Sequence, residues 1–292
     1  MKGQPTICPI LEALGAADER TVTGLCRAAN AALQYHRRST AQESAINPMP
    51  NHTMTAFDAD LGAIRSEVID MGDRVKTSVE ASIAVLARRD LDLAVSQTEL
   101  DCVIDSRQRE IETKVIETMA RRQPFAVDLR ELVGAFHIVS DLERIGDLAK
   151  NICKRVLVMD TSAPPKLLRG VERVSMQVQT QLRLVLESYA DRDSAKALSV
   201  WSSDKAIDAA HGSLLRELLT HMMEDPRNIV FCAHLLFCSK NLERMGDHVT
   251  NVAESVYYMI TGNRLNGDRP KAEDLSFLRL RSADGQQYGA PR

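Results

Sequence analysis

The sequence predicts an all-α fold: two tandem three-helix bundles of long antiparallel helices. Three observations carry that expectation. Apolar residues recur at steps of three and four through most of residues 55–263, the period of a helix with one buried face. Aromatic residues make up only 4% of the 292-residue chain, while Ala, Leu, Glu and Arg are plentiful, which favours helix over sheet. The pattern also occurs twice. Leu142, Glu143, Arg144, Gly146, Asp147 and Asn151 recur 100 positions on as Leu242, Glu243, Arg244, Gly246, Asp247 and Asn251. Val68, Val75, Ala87, Arg89, Asp90, Ala94, Asp101, Ile104 and Asp105 recur 103 positions on, beginning with Val171 and Val178 and ending with Asp204, Ile207 and Asp208. The change of offset places three extra residues in or near a loop of the first repeat.

Each element has its own signals. Residues 1–54 show weak periodicity, a His-Arg-Arg-Ser-Thr stretch and Asn47-Pro48-Met49-Pro50; they are expected to form a disordered extension, with Met49 and Met54 as alternative translation starts. The first repeat spans 55–160. Its first helix, Asp58 to Arg88, is marked by Leu61, Ile64, Val68, Met71, Val75, Val79, Ile83 and Leu86. Asp90 caps a second helix that Pro124 stops near Arg122. A third runs from about Asp128 to Val158. Thr161-Ser162-Ala163-Pro164-Pro165 then breaks the chain, and the second repeat spans 161–263. Pro165 suits the first turn of a fourth helix ending near Tyr189. Asp193 caps a fifth running to Met223, and Asp225-Pro226 opens a sixth closed by Gly262. Residues 264–292 read as a polar, disordered tail. A helix of 30 residues is about 45 Å long, so the bundles are elongated.

Composition narrows the function. A formal net charge of −3 gives no nucleic-acid footprint. No stretch approaches the roughly 20 apolar residues of a membrane span, and the N-terminus lacks the apolar run and small-residue site of a secretory signal. Six cysteines, at positions 8, 26, 102, 153, 232 and 238, form no Cys-x-x-Cys pair and are expected to be buried, reduced thiols of a cytosolic protein. No Gly-rich phosphate loop or nucleophile elbow is present.

The chemistry lies in the acids. The second helix of each repeat carries Asp101 with Asp105, or Asp204 with Asp208; the third carries Glu143 with Asp147, or Glu243 with Asp247. Residues at i and i+4 are neighbours on a helix, so each pair repels itself. The acids interrupt an apolar stripe: Phe136 and Glu143 share a face, as do Ala197 and Asp204, and Trp201 and Asp208. Unpaired carboxylates out of water cost several kcal/mol each, and clustered ones raise one another's pKa. A bound hard or borderline cation, Mg, Ca, Mn or iron, would explain the arrangement. The competing explanation is that the acids face water and pair with Arg144, Arg244, Lys150 or Lys240. Gly146 and Gly246, mid-helix between the acids, leave room either for a cation or for close helix approach. Asn151 and Asn251 are expected to be ordinary hydrogen-bonders of the bundle. His211, one turn from Asp208, is a better extra ligand than His248, which points about 100° away from Asp247, though a surface histidine is the simpler expectation. Trp201 reads as core.

On these residues the chain resembles the PhoU family. The Leu-Glu-Arg-Ile-Gly-Asp and Leu-Glu-Arg-Met-Gly-Asp forms with their asparagines carry the resemblance, supported by Phe57-Asp58-Ala59-Asp60-Leu61 and Met71-Gly72, over about residues 55–263. The resemblance implies a cytoplasmic, helical, homodimeric negative regulator of the phosphate-starvation response, without catalysis. Its implied partners are the ATPase of the high-affinity phosphate ABC transporter and a sensor histidine kinase. It also implies multinuclear metal clusters (iron, or Mg, Mn or Zn) held by Asp101, Asp105, Glu143 and Asp147 and by Asp204, Asp208, Glu243 and Asp247. The 54-residue leader departs from the family pattern. Two other readings compete: a carboxylate-bridged di-metal oxidase, for which no Glu-x-x-His is present, and a structural dimerisation module without a ligand.

Overall fold

Two antiparallel helices, one from each repeat, form the centre of the molecule. The structure is a computed structural model that describes residues 51–159 and 165–265. In chain order the helices are α1 (Asn51–Arg88), α2 (Leu91–Arg122), α3 (Ala126–Val156), α4 (Arg169–Asp191), α5 (Ser194–Ser202), α6 (Asp204–Glu224) and α7 (Ile229–Thr261), with 3₁₀ turns at Pro165–Leu168 and Pro226–Asn228. No strand occurs among the described residues. The expectations for residues 1–50 and for the tail beyond 265 lie outside the described residues. α1 starts at Asn51, so the last residues of the expected extension are helical.

The corners form for local reasons that repeat. α1 and α4 each end on an arginine in the left-handed region, Arg89 (φ 55°) and Arg192 (φ 53°). An aspartate follows immediately and caps the next helix. Asp90 accepts from the Leu93 amide at 3.0 Å, and Asp193 accepts from the Ala195 and Lys196 amides at 2.9 and 3.0 Å. Gly262 (φ 73°) closes α7. The extra residues of the first repeat sit chiefly at the α2–α3 corner, where Gln123, Pro124 and Phe125 connect the helices and Asp225 alone precedes the matching 3₁₀ turn.

The fifth helix departs from expectation: it is broken at Ser203. Ser203 (φ −88°, ψ −3°) leaves the helix, its hydroxyl donating to the Ser199 carbonyl at 2.7 Å. The freed Ser203 carbonyl accepts from Gln181 Nε2 at 3.1 Å. Serine hydroxyls compete with helix hydrogen bonds. The first repeat has Glu99-Leu100 where the second has Ser202-Ser203, and there α2 is continuous.

Packing follows the repeat. Ion pairs tie α1 to α2, Lys114 to Glu67 at 2.6 Å and Arg122 to Asp60 at 3.0 Å, with the two helices running in opposite directions. α4, α5 and α6 all pack on α7. Among helices α2 to α7, the largest interface joins α3 to α7. Arg130 approaches Gly262, Gly134 approaches Met259, and the Arg155 guanidinium lies 4.3 Å from the Phe237 ring centre, so the two helices are antiparallel. The α1 position of Gly72 is filled from α4 by Leu186. The halves therefore share one core, including Val68, Met71, Ile138, Leu142, Ile145, Leu182, Leu235, Val249 and Val256. Each such side chain contributes about 1.5–3 kcal/mol on burial.

Candidate functional site

Antiparallel α2 and α3 bring the first set of acids together on facing helices. Asp101 is 7% exposed, and Glu143 and Asp147 are half-buried beneath it. The centre of the cluster is a lysine. Lys150 Nζ lies 2.6 Å from Asp147 Oδ1 and also donates to Asp101 Oδ2. Arg144 reaches Glu143 at 3.4 Å and Asp147 at 3.6 Å from a solvated position.

Electrostatics separate the two acids of the α3 pair. Burial, then the charge of Asp147, push Glu143 above the usual glutamate value, and a hydrogen bond with Asp147 adds to this. Burial also acts upward on Asp147, but the hydrogen bond and charge of Lys150 outweigh it and hold Asp147 below the usual carboxylate range. Burial pulls Lys150 downward; its bonds to Asp101 and Asp147 overcome that and hold it above the ordinary lysine value. The i,i+4 repulsion is thus relieved in part by an internal cation.

The second set is built from α6 and α7. The helix break at Ser203 makes Asp204 the first residue of α6, 2% exposed and well placed for a helix dipole. The Thr250 hydroxyl lies 3.0 Å from Asp204 Oδ1 and 3.0 Å from the Gly246 carbonyl, with one proton to share. Lys240 pairs with Glu243 at 2.6 Å. Asp208 and Asp247 are half-buried nearby in sequence on the same helices.

Two open questions about spacing are answered by the packing. A Cβ at Gly146 would sit 3.1 Å from Ile104 Cδ1, and one at Gly246 would sit 2.9 Å from Ile207 Cδ1. The glycines admit an isoleucine from the second helix. Lys150 and Lys240 pair with the acids as the solvated-face reading expected, although Lys150 does so mostly out of water. Among the described residues, no group of three or more His, Cys, Asp or Glu side chains is gathered so as to hold a metal ion. As arranged, an ammonium already bridges Asp101 and Asp147 in the first half, and the donor set there does not fit a multinuclear cluster.

The remaining residues fall into place as bundle contacts. His211 Nδ1 meets Ser239 Oγ at 2.7 Å, and burial pulls its pKa below the ordinary value. His248 Nδ1 and Asn251 Nδ2 both meet Asp141 Oδ1, at 2.9 and 3.1 Å, across the α3–α7 seam. Trp201 packs on the core and donates to Glu254 at 3.0 Å. Cys153, Cys232 and Cys238 are free and buried, and Cys102 is exposed. Burial pushes the Cys153 thiol up to about 11 and Cys238 up to about 12. Cys8 and Cys26 lie outside the described residues.

Two features were not anticipated from sequence. Glu131, 6% exposed, is paired by Arg65 from α1 and by Arg192 from the end of α4. Two concavities also line the α3–α7 seam at positions related by the repeat. One, of about 520 Å³, is lined by His137, Glu254, Ser255 and Tyr258; the other, of about 430 Å³, by Phe237, Lys154, Arg155 and Val158. The adjacent Lys154-Arg155 pair was the available signal.

Comparison with known proteins returns one family. The PhoU domain model matches residues 68–156 and again 171–256. A "Phosphate-specific transport system accessory protein PhoU homolog" of Rhizobium meliloti is 48% identical over 228 residues, covering 78% of this chain and 96% of the relative. A homolog of the same description in Caulobacter vibrioides is 44% identical over 229 residues, covering 78% of this chain and 100% of the relative. The crystal structure of PhoU from Pseudomonas aeruginosa superposes with a TM-score of 0.66 at 36% identity, covering 71% of this chain and 100% of that one. The structure of the phosphate transport system regulatory protein PhoU from Streptococcus pneumoniae gives 0.67 at 25% identity, covering 72% and 99%.

Proposed function

The chain belongs to the PhoU family, and on that premise we propose that it is an accessory regulator of phosphate-specific transport. It limits phosphate uptake and represses the phosphate-starvation response when phosphate is plentiful. It acts in the cytoplasm by contact, linking the ATPase of the high-affinity phosphate transporter to a sensor histidine kinase. The observation that carries this reading is coverage: two PhoU domains match in tandem, and relatives described as accessory proteins of phosphate-specific transport align over nearly their whole length. That no described helix is long and apolar enough to cross a membrane is compatible with action from one side of it.

The geometry supplies a rigid body for such contacts. Lys150 and Thr250 each tie the second helix of a repeat to the third, and α3 and α7 weld the repeats together. The role is binding, not bond-making, and no step of it is assigned to a metal.

Deletion of the gene tests the proposal. In phosphate-rich medium the deletion strain is expected to show high alkaline phosphatase activity, repressed again when the gene is restored. Activity that stays repressed in the deletion strain would overturn the reading.

A further inference from the structure

The duplicated motif differs between its two copies at residue 150, inside the acidic cluster. Asp147, Ala149 and Asn151 each have an equivalent of like kind 100 positions on; Leu148 corresponds to His248, which turns to the α3–α7 seam, and within the acidic cluster itself Lys150 corresponds to Thr250. In the second half the Thr250 hydroxyl meets Asp204 Oδ1 at 3.0 Å. In the first half the Lys150 ammonium stands at that place and bridges Asp101 on α2 to Asp147 on α3. Its side chain is only 19% exposed, and Asp101 beside it 8%. The inner wall is closed, because Ile104 packs on Gly146.

We infer that Lys150 is the resident cation of the first acidic cluster: it joins α2 to α3 and keeps divalent metal ions out of this half of the protein. A metal bridging Asp101 and Asp147 at Oδ2 and Oδ1 would meet the ammonium that already bridges those two oxygens, and one bound through the other oxygens would still lie beside its charge. It would also have to displace that ammonium from a site that is four-fifths buried, or endure its charge at close range. Arg144 does not substitute for it, since it is 59% exposed and no nearer than 3.4 Å. The inference concerns the chemistry of one half and stands apart from the regulatory reading above.

The test uses the full chain with Asp208→Asn, Glu243→Gln and Asp247→Asn, which leaves Asp204 alone of the second set, so that the first cluster is the one under study. Manganese(II) is titrated in and followed by electron paramagnetic resonance, in which the signal of the free ion falls on binding. Lys150→Thr installs the residue that the second half carries, and Lys150→Met, which keeps the apolar stem, is measured beside it; circular dichroism checks helix content. With Lys150 present, the chain is expected to leave manganese free. Without it, manganese is expected to bind at least about tenfold more tightly, the scale on which removing a nearby like charge acts. The melting temperature of the Lys150 variants is expected to fall by several degrees and to recover with manganese, while the Lys150 chain responds neither to manganese nor to a chelator. Equal manganese uptake with and without Lys150, whether both bind or neither binds, would overturn the inference.

Discussion

Glu131 on α3 and Arg192 at the end of α4 form a 2.5 Å ion pair between the two halves of the molecule, with Arg65 of α1 on the other carboxylate oxygen side. The repeat makes the opposite corner its counterpart, since Arg89 matches Arg192 and Phe231 matches Glu131. There the Arg89 guanidinium lies 5.2 Å from the Phe231 ring centre. Each left-handed arginine thus reaches across to the third helix of the other repeat, one to a buried carboxylate and one to an aromatic face.

Replacing Glu131 leaves two guanidinium groups facing each other over a buried position. Removing one member of a fully buried pair costs about 3–5 kcal/mol. Arg65 and Arg192 are 31% and 35% exposed, so solvent screening lowers that figure. Glu131→Gln is expected to lower unfolding free energy by about 1–3 kcal/mol, measured by urea denaturation.

The mid-helix glycines are expected to resist alanine. A helix gains about 1 kcal/mol from Gly→Ala, whereas overpacking costs about 1–3 kcal/mol. At Gly246 the new methyl would stand 2.9 Å from Ile207 Cδ1, and Ile207 is 1% exposed with little freedom to retreat. Gly246→Ala is expected to destabilise, Ile207→Val added to it to restore stability, and Gly146→Ala, whose methyl would stand 3.1 Å from Ile104 Cδ1, to lie nearer neutral. Thermal melts of the four proteins distinguish these outcomes.

Acid and neutral pH are expected to expose the unequal carboxylates. Asp147 is held below its unfolded value, so its contribution is present above that value and is lost as pH falls through the folded pKa. Glu143 is raised, so the sign reverses: its native environment is favoured while the group is protonated, and the advantage is lost as pH rises through its folded pKa. Glu143→Gln is therefore expected to raise stability at pH 7 and to bring no gain below the unfolded glutamate value. Denaturation curves at the two pH values check the sign.

Much of the fold was legible from local chemistry. Helix periodicity, the Asp90 and Asp193 caps and the Gly262 stop depend on neighbours in sequence, and all appear where expected. The break at Ser203 was written in Ser202-Ser203, but the strong apolar stripe running through it masked the signal. The pairing of α3 with α7 was not legible, because periodicity reports which face is buried and not which helix covers it. For the same reason the burial of Glu131 was not legible. In the acidic clusters the sequence shows which residues share a face, and it offered both a cation and the flanking lysines as partners. Which lysine turns inward depended on the antiparallel register of α2 and α3, which puts Asp101 opposite Lys150.

The initial rate of phosphate uptake in phosphate-rich medium tests the regulatory role most directly, compared between a strain lacking the gene and the same strain with the chain restored. The account predicts faster uptake without the chain and a return to the slower rate with it. Identical rates in the two strains would contradict the role.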